Sequence, residues 1–106
     1  MSNTIQTSIS IIVPTYKEVE NLPGLVERLE QLKTQYPDWA IELLIMDDDS
    51  NDGTELLIEL KQPWIRLIVR KENRGLSQAV VEGLKQAKHE FLVVMDADLS
   101  HPPEKI

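Results

Sequence analysis

Phe91-Leu92-Val93-Val94-Met95-Asp96-Ala97-Asp98-Leu99-Ser100-His101-Pro102-Pro103 is an apolar run that stops abruptly at two carboxylates one residue apart. Such a run predicts a buried parallel strand that carries Asp96 and Asp98 to the carboxyl edge of a sheet. Open α/β sheets bind ligands at that edge. In extended backbone, residues two apart point the same way. The two carboxylates can therefore share one hard cation and the phosphates it ligates, with Ala97 turned away between them. Asp-Ala-Asp is the candidate metal and nucleotide site.

Three more apolar runs precede this one. Ile9, Ile11, Ile12 and Val13 form a β-branched strand that Pro14, lacking a ladder donor, is expected to end. Ile41 to Met46 is a second strand, apolar except for Glu42, and Ile65 to Val69 a third, after the Gln62-Pro63 break. Leu22, Leu25, Val26, Leu29 and Leu32 recur at helical spacing, with Glu27, Arg28, Glu30 and Lys33 left for water. Asn21 is the expected cap of that helix, and Pro23 falls in its first turn. Asp52 followed by Glu55 has capping-box spacing and predicts a second helix through about Lys61. Leu76, Ala79, Val80, Gly83, Leu84 and Ala87 predict a third. The order β-α-β-α-β-α-β implies a doubly wound, Rossmann-like α/β fold: four parallel strands joined by three right-handed crossover helices.

At 106 residues the chain suits one compact domain. With 42% hydrophobic and 27% charged residues and no apolar run near the roughly 20 of a membrane span, a soluble protein is expected. Met1 to Ser8 has none of the zones of a secretory signal. The absence of cysteine excludes a disulfide framework and fits a reducing, cytoplasmic setting. A formal charge of -7 argues against a general nucleic-acid binder, which needs a basic footprint. Phosphate ligands would instead be held by a bridging cation and by backbone N–H groups.

The run Asp47-Asp48-Asp49 ends the second strand. Alone it reads as a solvated turn. Beside Asp96 and Asp98 at one sheet edge it would be repelled unless a cation or ligand donors lay between the clusters. Tyr16 offers a stacking face and Glu18 an acceptor for ribose hydroxyls, although each is also an ordinary loop residue. Arg70, Lys71 and Arg74 form either a solvated loop or a source of positive charge near a diphosphate. His101, in a Pro-rich loop, is either a metal ligand or, more readily, an ordinary exposed imidazole, and His89 reads as a surface residue. Gly53 and Gly75 belong to no Gly-x-Gly-x-x-Gly fingerprint.

Val13-Pro14-Thr15-Tyr16-Lys17-Glu18-Val19-Glu20-Asn21-Leu22, Met46-Asp47-Asp48-Asp49-Ser50-Asn51-Asp52-Gly53-Thr54, Asn73-Arg74-Gly75-Leu76 and Met95-Asp96-Ala97-Asp98-Leu99-Ser100-His101-Pro102 together resemble the inverting GT-A glycosyltransferases. The similarity is greatest to the dolichyl-phosphate (polyprenyl-phosphate) mannose synthases. It implies a nucleotide-sugar donor, GDP-mannose first, a Mg²⁺ or Mn²⁺ ion, and a polyprenyl-phosphate acceptor at the cytoplasmic face of a membrane. By the same resemblance Pro14, Tyr16 and Glu18 line the base and ribose. Ile45 and Asp47 contact the base, Asp96 and Asp98 hold the metal, and Met95 and Ala97 pack beside the sugar nucleotide. No catalytic base is assigned.

Two local departures stand out. Lys17 replaces the usual asparagine of Pro-Thr-Tyr-Asn-Glu, and Asp49 stands where glycine is common. Members of the family continue well beyond the Asp-x-Asp. Residues 1–106 are accordingly expected to be the nucleotide-sugar-binding portion of a C-terminally truncated GT-A domain, binding without turnover and pairing into a homo-oligomer through an uncovered sheet edge. The alternative is a non-catalytic nucleotide-binding or assembly fragment. A phospho-acceptor signalling domain would carry its acidic pair after the first strand, where Pro14-Thr15-Tyr16 stand.

Overall fold

The computed structural model describes residues 7–72 and 74–98. Four strands are formed: β1 (Ser8–Thr15), β2 (Ala40–Asp47), β3 (Ile65–Val69) and β4 (Phe91–Val94). Two α-helices join them, α1 (Leu22–Gln35) after β1 and α2 (Leu76–Gln86) after β3. All pairings are parallel and the sheet order is β3-β2-β1-β4. The chain winds outward from β1 to β3, then returns to place β4 on the other side of β1. The reversal opens a crevice between the carboxyl ends of β1 and β4, where doubly wound sheets take their ligands.

β1 and β2 are apolar on both faces because a helix covers each. Ile9, Ile11, Val13, Leu43 and Ile45 pack against Leu22, Leu25, Val26, Leu29 and Leu32 of α1. Ile12, Leu44 and Met46 turn to the opposite face and meet Ala79 of α2. A Cβ on Gly83 would stand 2.5 Å from Ile12 Cγ2, so glycine lets α2 approach this face closely.

Several expectations are corrected. The segment after β2 is not a helix to Lys61 but two 3₁₀ turns, Thr54–Leu56 and Ile58–Leu60, separated by extended Leu57. Only two α-helices therefore cross over. Of this segment Thr54 and Leu60 are buried, while Leu56 and Ile58 stay exposed, so no continuous helical stripe is available to dock. Glu55 closes no capping box. Instead, Asp52 Oδ1 accepts from Thr54 N at 3.2 Å and Thr54 Oγ1 at 2.6 Å.

Pro14 does not end β1, which pairs with β2 as far as Thr15↔Asp47. Ile12 O accepts from Met95 N, so Ile12, and Pro14 two residues on, face β4. The missing donor ends only that ladder, whose last pair is Ile12↔Val94. Asn21 makes no side-chain cap; its Nδ2 donates to Glu18 Oε2 at 2.6 Å. β4 is an edge strand, not a buried one. Phe91, Leu92 and Val94 are exposed because no described strand pairs beyond it.

The far end of the sheet carries a buried polar cluster centred on Glu42, whose carboxylate accepts from Ser10 Oγ at 2.6 Å and Lys88 N at 2.6 Å. Ser10 Oγ in turn accepts from half-buried His89 N at 3.0 Å. These bonds tie the α2–β4 connection to the central strands. Burial raises the pKa of Glu42, but Ser10, Lys88 N–H, Arg66 and His89 together outweigh it and leave the carboxyl below its ordinary value. Among the described residues no helix is long and apolar enough to cross a membrane.

Candidate functional site

Pro14, Thr15 and Tyr16 from β1 and the loop after it, Asp96, Ala97 and Asp98 beyond β4, and Leu76 and Ala79 of α2 surround a cleft of about 380 Å³, with Glu18 and Asp48 completing its lining. It occupies the switch point between β1 and β4. Past the end of β4 the alternation of sides persists: Met95 and Ala97 are buried while Asp96 and Asp98 are exposed. Both carboxylates line the cleft and Ala97 is buried, although Ala97 and Asp98 lie in a turn and not in the extended backbone that the spacing assumed.

The opposite wall is held by hydrogen bonds between the loops that follow β1 and β2. Asp47, 1% exposed, accepts from Thr15 Oγ1 at 2.7 Å, Ser50 Oγ at 2.7 Å and Ser50 N at 2.9 Å. Lys17 N donates to Ser50 Oγ at 2.7 Å, and Val19 N to Asp52 Oδ2 at 3.2 Å. Burial raises the pKa of Asp52, but the bonds from Thr54 and Val19 prevail and leave it lowered. Lys17, Asp49 and Asn51 have φ of 57°, 54° and 54°, left-handed backbone that costs an ordinary side chain about 1–2 kcal/mol. Asp49 therefore adopts a conformation that glycine would favour.

Asp48 presents its carboxylate where Asp47 was expected to. Strand alternation explains the exchange. Ile45 and Asp47 lie on the α1 side of β2, whereas Met46 and Asp48 share the α2 side with the cleft. Ile45 is fully buried, Asp47 is consumed in the loop network, and neither lines the cleft. Met95 lies 3% exposed in the core beneath Ala97. Pro14, Tyr16, Glu18, Asp96, Ala97 and Asp98 are brought together, as their positions in the sequence suggested. The parity of β2 was the signal that could have singled out Asp48.

Asp48 is itself locked. Arg70 Nη1 lies 2.5 Å from Oδ1, with the two side chains 8% and 10% exposed, and Gly75 N donates to Oδ2 at 2.6 Å. The end of β3 and the start of α2 are thereby fastened to the cleft wall. Arg70 is bound to a carboxylate and not left in a solvated loop. Arg74 behaves differently: its guanidinium lies 5.4 Å from the centroid of the Tyr16 ring, and Lys17 Nζ lies 5.5 Å from the same centroid.

Asp96 and Asp98 offer hard oxygen donors suited to Mg²⁺ or Mn²⁺, which favour six such ligands. Among the described residues no group of three or more His, Cys, Asp or Glu is placed to hold a metal alone. The donor set fits a cation that takes most of its ligands from a phosphate-bearing molecule and water. His101 lies outside the described residues, as do Leu99, Ser100 and Pro102.

Comparison with known proteins bears on the family and the fold. The profile of the family described as Glycosyl transferase family 2 matches residues 10–106. A dolichol-phosphate mannosyltransferase of Pyrococcus furiosus is 43% identical over 100 residues, covering 92% of this chain and 28% of the relative. One from Saccharomyces cerevisiae is 44% identical over 102 residues, covering 92% of this chain and 38% of the relative. The chain thus spans about a third of the length of these curated relatives. Among solved structures, a Pyrobaculum calidifontis mannosyltransferase in complex with GDP-Man and Mn²⁺ superposes with a TM-score of 0.70 at 26% identity, covering 90% of this chain and 28% of that one.

Proposed function

Because the chain belongs to glycosyl transferase family 2, we propose that residues 1–106 form the nucleotide-sugar-binding portion of a metal-dependent, inverting GT-A mannosyltransferase. Its donor is GDP-mannose and its acceptor a polyprenyl phosphate at the cytoplasmic face of a membrane. The observation that carries the reading is the meeting of Asp96 and Asp98 with Tyr16, Glu18 and Asp48 in one cleft at the β1/β4 switch point. The names of the relatives and the GDP-Man and Mn²⁺ bound by the Pyrobaculum enzyme support the choice of donor, metal and acceptor.

In this reading Tyr16, about half exposed, packs beside the base. Glu18 accepts from the ribose hydroxyls, held in place by its bond from Asn21. Asp96 and Asp98 hold the cation against the diphosphate. When bound, that cation supplies the positive charge that stabilises the departing nucleoside diphosphate. An acceptor phosphate oxygen attacks the anomeric carbon from the face opposite the diphosphate. The new C–O bond forms as the sugar–diphosphate bond breaks, which inverts the configuration. An already ionised phosphate needs little help from a general base.

Ile45 and Asp47 act from behind the cleft, Asp47 by fixing the loop through Thr15 and Ser50. The chain spans about a third of the length of its curated relatives, and in this reading the groups that position the acceptor are not among residues 1–106. Alignment of acceptor and anomeric carbon is worth about 7–11 kcal/mol, so binding without sustained turnover is expected of these residues alone.

Calorimetric titration with GDP-mannose, GDP and UDP-glucose, each with and without Mn²⁺, tests the proposal. Guanine nucleotides should bind most tightly with Mn²⁺, and Asp98→Asn should remove the metal-dependent part. Saturation at a hundred times the dissociation constant would add about 2.7 kcal/mol of stability. A melting curve unmoved by GDP and Mn²⁺ together would refute the site.

A further inference from the structure

Among the described residues the cleft is lined by four carboxylates, those of Glu18, Asp48, Asp96 and Asp98, and by no lysine or arginine. A nucleoside diphosphate brings further negative charge into that surface, on a chain whose formal charge is already -7. Arg70 is bound to Asp48. Lys17 and Arg74 each hold a cationic group over the ring of Tyr16, which lines the cleft. Arg74 sits on undistorted terms, but Lys17 does not: its φ of 57° is backbone that asparagine or glycine adopts more readily than lysine. The fold needs only the main-chain N–H of residue 17, which donates to Ser50 Oγ, and any non-proline residue supplies that. Apart from the ammonium over the Tyr16 ring, no contact among the described residues calls for lysine at a position where its backbone is strained.

We infer that Lys17, outside the lining but with its ammonium over the cleft residue Tyr16, is a specificity-determining residue that favours anionic nucleotides over neutral nucleosides by offsetting the four carboxylates. The inference rests on the nucleotide-sugar reading above. Its physical content is a trade: residue 17 lowers the stability of the fold and raises affinity for a phosphorylated ligand, as strained positions at functional sites do. Residues that only support structure show no such opposition.

The test uses wild type, Lys17→Asn and Lys17→Arg, with GDP, guanosine and Mn²⁺ as probes, read by calorimetry and thermal melting. Lys17→Asn should melt about 4–8 °C higher, because asparagine tolerates the left-handed backbone. It should bind GDP with Mn²⁺ about three- to tenfold more weakly at low salt, with the gap closing at high salt and guanosine unaffected. Lys17→Arg keeps the charge and should bind as wild type does. Equal GDP affinity in wild type and Lys17→Asn would overturn the inference alone. So would a loss of GDP and guanosine binding together, or a loss that salt does not change. A wild type that binds no GDP with or without Mn²⁺ would overturn both this inference and the nucleotide reading beneath it.

Discussion

Replacing Arg70 by methionine keeps most of the aliphatic stem and removes the guanidinium that faces Asp48. The contact is 2.5 Å, and with side chains 8% and 10% exposed it is not a surface pair of negligible worth. Breaking a buried pair leaves an uncompensated charge and costs about 3–5 kcal/mol. Two features reduce that figure: the Gly75 N–H remains on Asp48 Oδ2, and the carboxylate borders the cleft, where water can reach it. A loss of about 2–4 kcal/mol is therefore expected, a large share of the 5–15 kcal/mol typical of a domain. With a urea slope of about 1–2 kcal/mol/M, the unfolding midpoint should fall by about 1–4 M. The double variant Asp48→Asn with Arg70→Met should recover part of the loss, since no unpaired charge remains to be buried. A single-variant cost under about 0.5 kcal/mol, or strict additivity in the double variant, would show that this pair does not fasten β3 and α2 to the cleft wall.

Three further outcomes follow from other parts of the molecule. Glu42 has a pKa lowered from 4.5, so its contribution is fully present above that pH and is lost as pH falls through the depressed folded-state value. Urea midpoints measured between about pH 3 and pH 6 should fall on the acid side less steeply for Glu42→Gln than for wild type, and parallel curves would contradict the network around Ser10 and Lys88. Gly83→Ala would force a Cβ to within 2.5 Å of Ile12 Cγ2, so melting should reveal a destabilisation of about 1–3 kcal/mol, and an unchanged melting temperature would mean α2 is not seated as described. The exposed edge of β4, with Phe91, Leu92 and Val94 uncovered, should lead the 106-residue chain to self-associate, and a clean monomer by light scattering at high concentration would speak against it.

The four strands and the long helix α1 are legible in the sequence because their signals are local. Ile9 to Val13, Ile41 to Met46 and Ile65 to Val69 are apolar runs bounded by breakers, and Leu22 to Leu32 keeps one helical stripe over three turns. The position of Asp96 and Asp98 at the carboxyl edge is legible for the same reason: a run of five apolar residues ends directly at them. Family motifs extend that reading to Pro14, Tyr16 and Glu18, whose place in the cleft follows from a strand end and a short loop. The segment after β2 misled because Asp52 and Glu55 have the spacing of a capping box, while its leucines and isoleucine find no surface on which a whole helix could dock.

What only the tertiary structure decided depends on partners far apart in the chain. The order β3-β2-β1-β4 brings Ile12 beside Val94 across some eighty residues, and no local pattern specifies that adjacency. The same pairing made Pro14 the end of one ladder and not of the strand, and made β4 an edge despite its apolar sequence. Three consecutive aspartates are equivalent in composition, yet strand parity sends Asp47 to Thr15 and Ser50, and Asp48 to Arg70, Gly75 and the cleft. A one-residue difference in direction separates a structural carboxylate from one that borders the site, and a side chain's direction is set by the register of the sheet, not by the residue's chemistry.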